Sequence, residues 1–156
     1  MSKTDFEFCD FKNSIHTEAF TSLLNQYMSD PMGDYPIHDE SRKRLLVEGL
    51  SNHPTAFVIF IKCDGEFAGF STCFVNFSTF KIKPFLYIHD VFIHPGFRGK
   101  KLGRKLMEKL VSIAKERDYC KVTLEVRDDN EPAQILYRNL GFDPCEPNMF
   151  YWEKIL

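Results

Sequence analysis

The apolar positions change period several times along the chain, and each change predicts an element. "DFEFCDF" (5–11) alternates apolar and polar residues, the pattern of a half-buried strand. From Ser14, the residues Ile15, Ala19, Leu23 and Tyr27 recur every four positions, as on one helix face. "SDPMGDYP" (29–36) has the Pro and Gly content of a loop, and a second helix is predicted from the N-cap Asp39 to about Asn52. "AFVIFIK" (56–62) and "FAGFSTCFVNF" (67–77) flank Asp64-Gly65, a dipeptide that favours a tight hairpin turn. "FLYIHDVFI" (85–93) reads as a strand closed by Pro95-Gly96. A long helix follows over 99–118, with Leu102, Leu106, Leu110, Ile113 and Ala114 on one face. "KVTLEVR" (121–127) alternates again, "EPAQILYRNL" (131–140) is a short helix stopped by Gly141, and "MFYWEKI" (149–155) is a last strand. The order β-α-α-β-β-β-α-β-α-β predicts an α/β (α+β) fold, a single mixed sheet flanked by helices, in one domain over 1–156.

Composition narrows the class. The 156 residues are 44% hydrophobic and 27% charged, as in an ordinary globular domain. No run approaches the roughly 18 apolar residues of a membrane span, and Met1-Ser2-Lys3-Thr4-Asp5 lacks a signal-type apolar stretch, so a cytoplasmic location is expected. The net charge of −2 argues against a protein that binds nucleic acid over a broad face. Cysteines at 9, 63, 73, 120 and 145 are odd in number and show no CxxC spacing, so neither a disulfide framework nor a metal site is suggested.

Positive charge is instead local. "GFRGKKLGRK" (96–105) carries Arg98, Lys100, Lys101, Arg104 and Lys105 at a strand-to-helix junction. The first turn of a helix has unpaired N–H groups and positive potential, and Gly99 and Gly103 let a ligand approach the backbone. This is the chemistry of a phosphate site. Neither GxxxxGK[ST] nor GxGxxG is present, so the segment alone does not say which phosphate. A solvated basic helix end reads equally well at this point.

A second constellation is "NEPAQILYRNLGF" (130–142). Asn130 falls at a helix N-terminus with Pro132 in the first turn, where its missing N–H costs nothing. Tyr137 follows seven residues later, near the same face. Asn130 offers a donor and an acceptor, and Tyr137 a hydroxyl proton suited to a basic leaving group. A capping asparagine beside a core tyrosine is the bland reading of the same residues.

Together, "VFIHPGFRGKKLGRKLMEKL" and "LEVRDDNEPAQILYRNLGF" resemble the GNAT superfamily of N-acetyltransferases, with the strong motifs over 85–142 and nearest likeness to the spermidine/spermine and diamine branch. The resemblance implies a mostly antiparallel sheet whose central strands splay, and acetyl-CoA as acyl donor. The family's pyrophosphate loop, [RQ]-x-x-G-x-[GA], falls on Arg98, Gly99, Lys100, Lys101, Leu102 and Gly103, followed by Arg104. Lys101 stands at the first glycine of that pattern, and a side chain there resists φ > 0. An altered loop is therefore expected.

By the same resemblance, Val91, Phe92 and Ile93 pair with the pantetheine arm, Asn130 contacts the cofactor, and Tyr137 protonates the departing thiolate. A strand N–H of Phe92 or Ile93 stabilises the oxyanion. The attacking primary amine must lose a proton, and His89 or Asp90 is the expected base. In the diamine branch a glutamate usually stands at the position of His89. Asp30, Asp34, Asp39 and Glu40, interleaved with Tyr27, Met28 and Tyr35, suit a cationic acceptor, but serve equally as solvated loop acids. The implied partners are a small-molecule or protein amine and a second copy of the chain, since many members are homodimers. A non-catalytic acyl-CoA-binding module is the alternative.

Overall fold

The computed structural model of the protein describes residues 2–156, in two compact units that meet between Glu125 and Val126. The first unit runs β1 (Thr4–Phe8), α1 (Ser14–Ser29), α2 (Glu40–Asn52), β2 (Ala56–Cys63), β3 (Glu66–Ser78), β4 (Lys83–Ile93), a 3-10 turn (Pro95–Phe97), α3 (Leu102–Glu116) and β5 (Val122–Leu124). The second unit holds α4 (Glu131–Asn139) and an irregular segment after it.

Local chemistry sets the boundaries. Asn13 caps α1 by accepting the Ile15 N–H at 2.9 Å, and Asp39 caps α2 through the Arg42 N–H, also at 2.9 Å. Asp64 (φ 52°) and Gly65 (φ 87°) both take left-handed conformations, as a two-residue hairpin between β2 and β3 requires.

The strands lie in sequence order β1-β2-β3-β4-β5. All pairs are antiparallel except β4 with β5, which is parallel and only three residues long. On one face, Phe20, Leu23, Leu24 and Met28 of α1 cluster with Val58, Phe60, Phe70 and Phe92. The alternate residues Ile59, Ile61, Leu86 and Ile88 point to the opposite face and are also buried. α3 packs on β3 and β4 and buries Leu102, Leu106, Met107, Leu110 and Ile113. Burial of such side chains contributes about 1.5–3 kcal/mol each, so these faces hold the sheet between helices.

Three boundaries differ from expectation. α3 begins at Leu102, not Gly99, because Gly99 (φ 81°) and Lys101 (φ 58°) are left-handed and cannot lie within a right-handed helix. β5 covers only Val122–Leu124 of the expected 121–127. The strand expected over 149–155 is not formed: among the described residues nothing ladders with it, and Phe150, Tyr151 and Trp152 are exposed. Alternation confers strand propensity, but a strand exists only when a neighbour satisfies its N–H and C=O groups.

Gly69 of β3 sits opposite Ile93, and a Cβ there would strike the Phe92 carbonyl and press the Ile93 side chain. Gly69→Ala is expected to destabilise the protein by about 1–3 kcal/mol, the usual cost of overpacking, measured by urea denaturation. Gly65→Ala keeps its space and costs only the strain of a left-handed alanine, about 1–2 kcal/mol.

Candidate active site

The β3–β4 ladder pairs Gly69 with Ile93, Phe70 with Phe92, Ser71 with Val91 and Thr72 with Asp90, then jumps to Cys73 with Ile88. His89 is the inserted residue of a β-bulge. Directly paired residues share a face. Tyr87, opposite Phe74, and Asp90, opposite Thr72, therefore point the same way although they are three residues apart. His89 joins them: its ring lies 5.7 Å from Phe74 and 5.6 Å from Tyr87. An unbroken strand would have sent His89 and Asp90 to opposite faces.

The bulge also sets the edge of β4. The His94 N–H donates to the Ala68 carbonyl at 2.9 Å. Antiparallel bonding alternates, so Phe92 also bonds toward β3, while Val91 and Ile93 turn their N–H and C=O the other way. On that side the last ladder pair with β5 is Ile88 with Leu124. β4 thus runs on to Ile93 beyond β5, the splay that the motifs imply. Among the expected strand residues, Val91 and Ile93 present backbone to that side, and Phe92 is a core side chain against Phe70 and Tyr27.

The basic loop follows. Arg98 is bound on both sides: its guanidinium meets Asp30 at 3.0 Å, and its Nε donates to the Ile93 carbonyl at 3.4 Å. Asp30 also accepts the Met32 N–H at 3.0 Å just past the end of α1. That backbone bond first, and Arg98 second, hold its carboxyl below the usual Asp value despite partial burial. Arg98 therefore braces the loop against the α1–α2 connection. Lys101, at the first glycine position of the pattern, takes a left-handed conformation at φ 58° and ψ 22°, the region that favours glycine. Holding a lysine in that conformation costs backbone strain. Leu102 is a core side chain, leaving only its backbone for a ligand. Gly103 and Arg104 form the first turn of α3, and Arg104 pairs with Glu108 at 2.8 Å. The Lys100 ammonium lies over the Phe97 ring at 5.4 Å.

Asp90 is partly buried, and that burial raises its carboxyl above the ordinary Asp value, offset in part by His89 and the Thr72 hydroxyl. Burial pushes the Cys73 thiol up to about 12, so it is no thiolate at neutral pH. Of the acids expected near an acceptor, Asp30 and Asp39 are engaged in capping and bracing.

In the second unit, Asn130 is the N-cap of α4, with its side-chain oxygen accepting the Ala133 N–H at 3.3 Å. Pro132 lies in the first turn and Gly141 (φ 85°) follows the C-cap Leu140. Tyr137 is half-buried, its ring 6.0 Å from Phe142.

The geometry brings together a sheet parted at β4, a left-handed loop at the start of α3 and a bulge that turns His89 and Asp90 to one face. Residues 17–142 match the acetyltransferase (GNAT) family, and the chain belongs to it. It is 34% identical over 95 residues to a candidate ribosomal protein bS18-alanine N-acetyltransferase of Bacillus subtilis (strain 168), covering 61% of this chain and 59% of that one. It is 39% identical over 85 residues to the streptothricin acetyltransferase of Streptomyces lavendulae, covering 54% and 43%. The chain thus spans about half the length of the curated relatives it matches. An aminoglycoside N-acetyltransferase, AAC(6')-Iy, solved with CoA, shares the fold with a TM-score of 0.74 at 17% identity, covering 99% of this chain and 97% of that one.

Sequence reasoning missed the bulge, the Asp30 brace and the partners of His89. Those partners are Tyr87, 3.1 Å from its Nδ1, and beyond it Glu125. The Tyr-x-His spacing was the one available signal, since residues two apart on a strand share a face.

Lys101→Gly is expected to stabilise the protein by about 0.5–1 kcal/mol in urea denaturation, relieving left-handed strain of about 1–2 kcal/mol against the entropy of glycine. Asp90 gives a pH-dependent prediction. Its folded value lies above its unfolded one, so its contribution to stability is fully present below the unfolded value of 3.8 and is lost as pH rises through the folded value. The melting temperature of Asp90→Asn relative to the native protein should therefore climb as pH is raised from 4 to 8. A constant difference would show that Asp90 does not titrate upward.

Proposed function

We propose that the protein is an acetyl-CoA-dependent N-acetyltransferase that moves an acetyl group to a primary amine. The observation that carries this reading is the left-handed Gly99–Lys101 loop at the start of α3, directly after a strand whose Val91 and Ile93 face away from β3. Nothing lies within 4 Å of a Cβ placed on Gly99, so a ligand could approach the backbone there. The residues fit an acyl-CoA: N–H groups of the loop and of the first turn of α3 for the pyrophosphate, with Lys100, Lys101 and Arg104 as cations. Val91 and Ile93 pair with the pantetheine arm, and the amide of Asn130 donates to it.

In the reaction, an N–H of β4 stabilises the oxyanion that develops as the amine attacks the thioester carbonyl. The alternation of the ladder favours Ile93 over Phe92 for this task. His89 accepts the amine proton, and Tyr137 gives its own to the departing CoA sulfur. Asp90 lies on the same face as His89 and adds negative potential for a cationic acceptor. The acceptor is an amine on a small molecule or a protein. A cytoplasmic enzyme, built as one domain over 1–156 and paired as a homodimer, completes this reading.

Release of CoA from acetyl-CoA in the presence of a panel of amines tests it. The panel should include polyamines, aminoglycosides and peptides with free N-termini, and turnover with at least one is expected. CoA binding without turnover on any amine would favour a non-catalytic acyl-CoA-binding module. Tyr137→Phe should lower kcat by roughly a hundredfold, the lower range for a positioned general acid, with CoA affinity retained. An unchanged kcat would remove Tyr137 from the proton path.

A further inference from the structure

The bulge does more than bring His89 onto the substrate face, because it leaves the ring against two groups that the proposed chemistry has not used. The Tyr87 hydroxyl lies 3.1 Å from His89 Nδ1 and donates to Glu125 Oε1 at 3.3 Å. Tyr87 is held by its place in the ladder opposite Phe74, with the two rings stacked 6.4 Å apart. Glu125 directly follows Leu124, the last residue of β5 paired with β4. Two residues of β4 and one just past β5 thus form one chain of hydrogen bonds.

The direction of that chain follows from proton counting. A tyrosine hydroxyl has one proton, and an ionised carboxylate can only accept. The hydroxyl proton therefore goes to Glu125, where the bond is charge-assisted. The hydroxyl oxygen is left to accept, so Nδ1 must carry a hydrogen. In a neutral imidazole the lone pair then sits on Nε2.

We infer that Tyr87, backed by Glu125, is a positioning residue that holds His89 in the Nδ1–H tautomer and so presents the Nε2 lone pair to the acceptor amine. The inference rests on the proposed role of His89 as base. In the reaction, the amine nitrogen forms its bond to the acetyl carbon, the carbon–sulfur bond breaks, and the amine proton passes to Nε2. The imidazolium keeps both ring protons and is stabilised through Tyr87 by the Glu125 carboxylate. The thiolate takes its proton from Tyr137, and solvent returns the proton on His89 to the tyrosinate. Nothing else is consumed.

The titratable groups around His89 are Tyr87 and Asp90 of β4, Glu125 after β5, and His53 at the end of α2, whose ring meets the far partner Phe74 at 4.9 Å. His53 accepts the Thr55 and Ala56 N–H groups through its own Nδ1, so its tautomer is fixed separately. From α1, Tyr27 reaches Phe92 of the same face.

Two measurements on the full chain test the inference. In protein labelled with 15N-histidine, the His89 ring shifts should report the Nδ1–H tautomer at high pH. Tyr87→Phe should return the ring to the Nε2–H form that free histidine prefers. A native His89 already in the Nε2–H form would overturn the inference without reference to activity. In the acetyl transfer assay, Tyr87→Phe should lower kcat by roughly tenfold, part of the 10²–10⁴ that a positioned base supplies. It should also move the acidic limb of the pH profile to lower pH and leave KM for acetyl-CoA within about twofold. Glu125→Gln should move the limb the same way, since an amide no longer stabilises the imidazolium. If His89→Gln leaves the limb in place, the base assignment itself fails. If His89→Gln abolishes the limb while Tyr87→Phe and Glu125→Gln leave it unmoved, His89 is the base and the positioning role is wrong.

Discussion

The backbone ladder of β4 is the constraint on which the rest of the site depends. A strand must satisfy its N–H and C=O groups on both edges, and β4 does so along its whole length only toward β3. Toward β5 it is paired for three residues, and among the described residues no ladder continues along that edge. That stretch is stable because the other edge and both faces are held: Phe92 is buried under α1, and α3 covers the opposite face. There the Ile93 carbonyl accepts from Arg98, and the N–H groups of Val91 and Ile93 face away from β3. The extra residue at His89 belongs to the same strand, and it turns an imidazole and a carboxyl toward one face. The open edge and the shared face of His89 and Asp90 are thus two consequences of one ladder.

The loop after β4 shows how a motif can survive an unfavourable residue. The turn into α3 needs left-handed backbone at Gly99 and again at Lys101. Glycine supplies this freely, whereas lysine pays in strain. The strain is tolerated because both ends of the loop are held. Arg98 is tied to Asp30 and to the Ile93 carbonyl, and Leu102 is locked into the core. The cation at the head of the motif is therefore part of the scaffold, joining the loop to the end of α1.

Much of this was legible in the order of residues. The Asp64-Gly65 hairpin, the Asp39 and Asn130 caps, the apolar stripe of α3 and Gly141 after α4 all appear where local chemistry puts them. The family motifs lay in two continuous stretches, and residues 17–142 match the family they resemble. What failed lay outside what a side-chain pattern records. The segment 149–155 has the alternation of a strand but no ladder among the described residues. The early start assigned to α3 ignored backbone dihedrals that a side-chain pattern does not report. The acids near Tyr27 looked like a cationic subsite, yet Asp30 and Asp39 cap and brace.

The sequence by itself determined most of the elements, the glycine-bearing basic loop and the candidate proton donors and acceptors, because periodicity, caps and turns act over a few residues. Only the tertiary structure decided which backbone edge is open, which face His89 and Asp90 share, and that Arg98 serves Asp30. It also brought Tyr87 and Glu125, 38 residues apart, into one hydrogen-bonded chain with the imidazole. Register is the physical reason: one extra residue in a ladder re-aims every side chain beyond it, and no local pattern records where that residue falls.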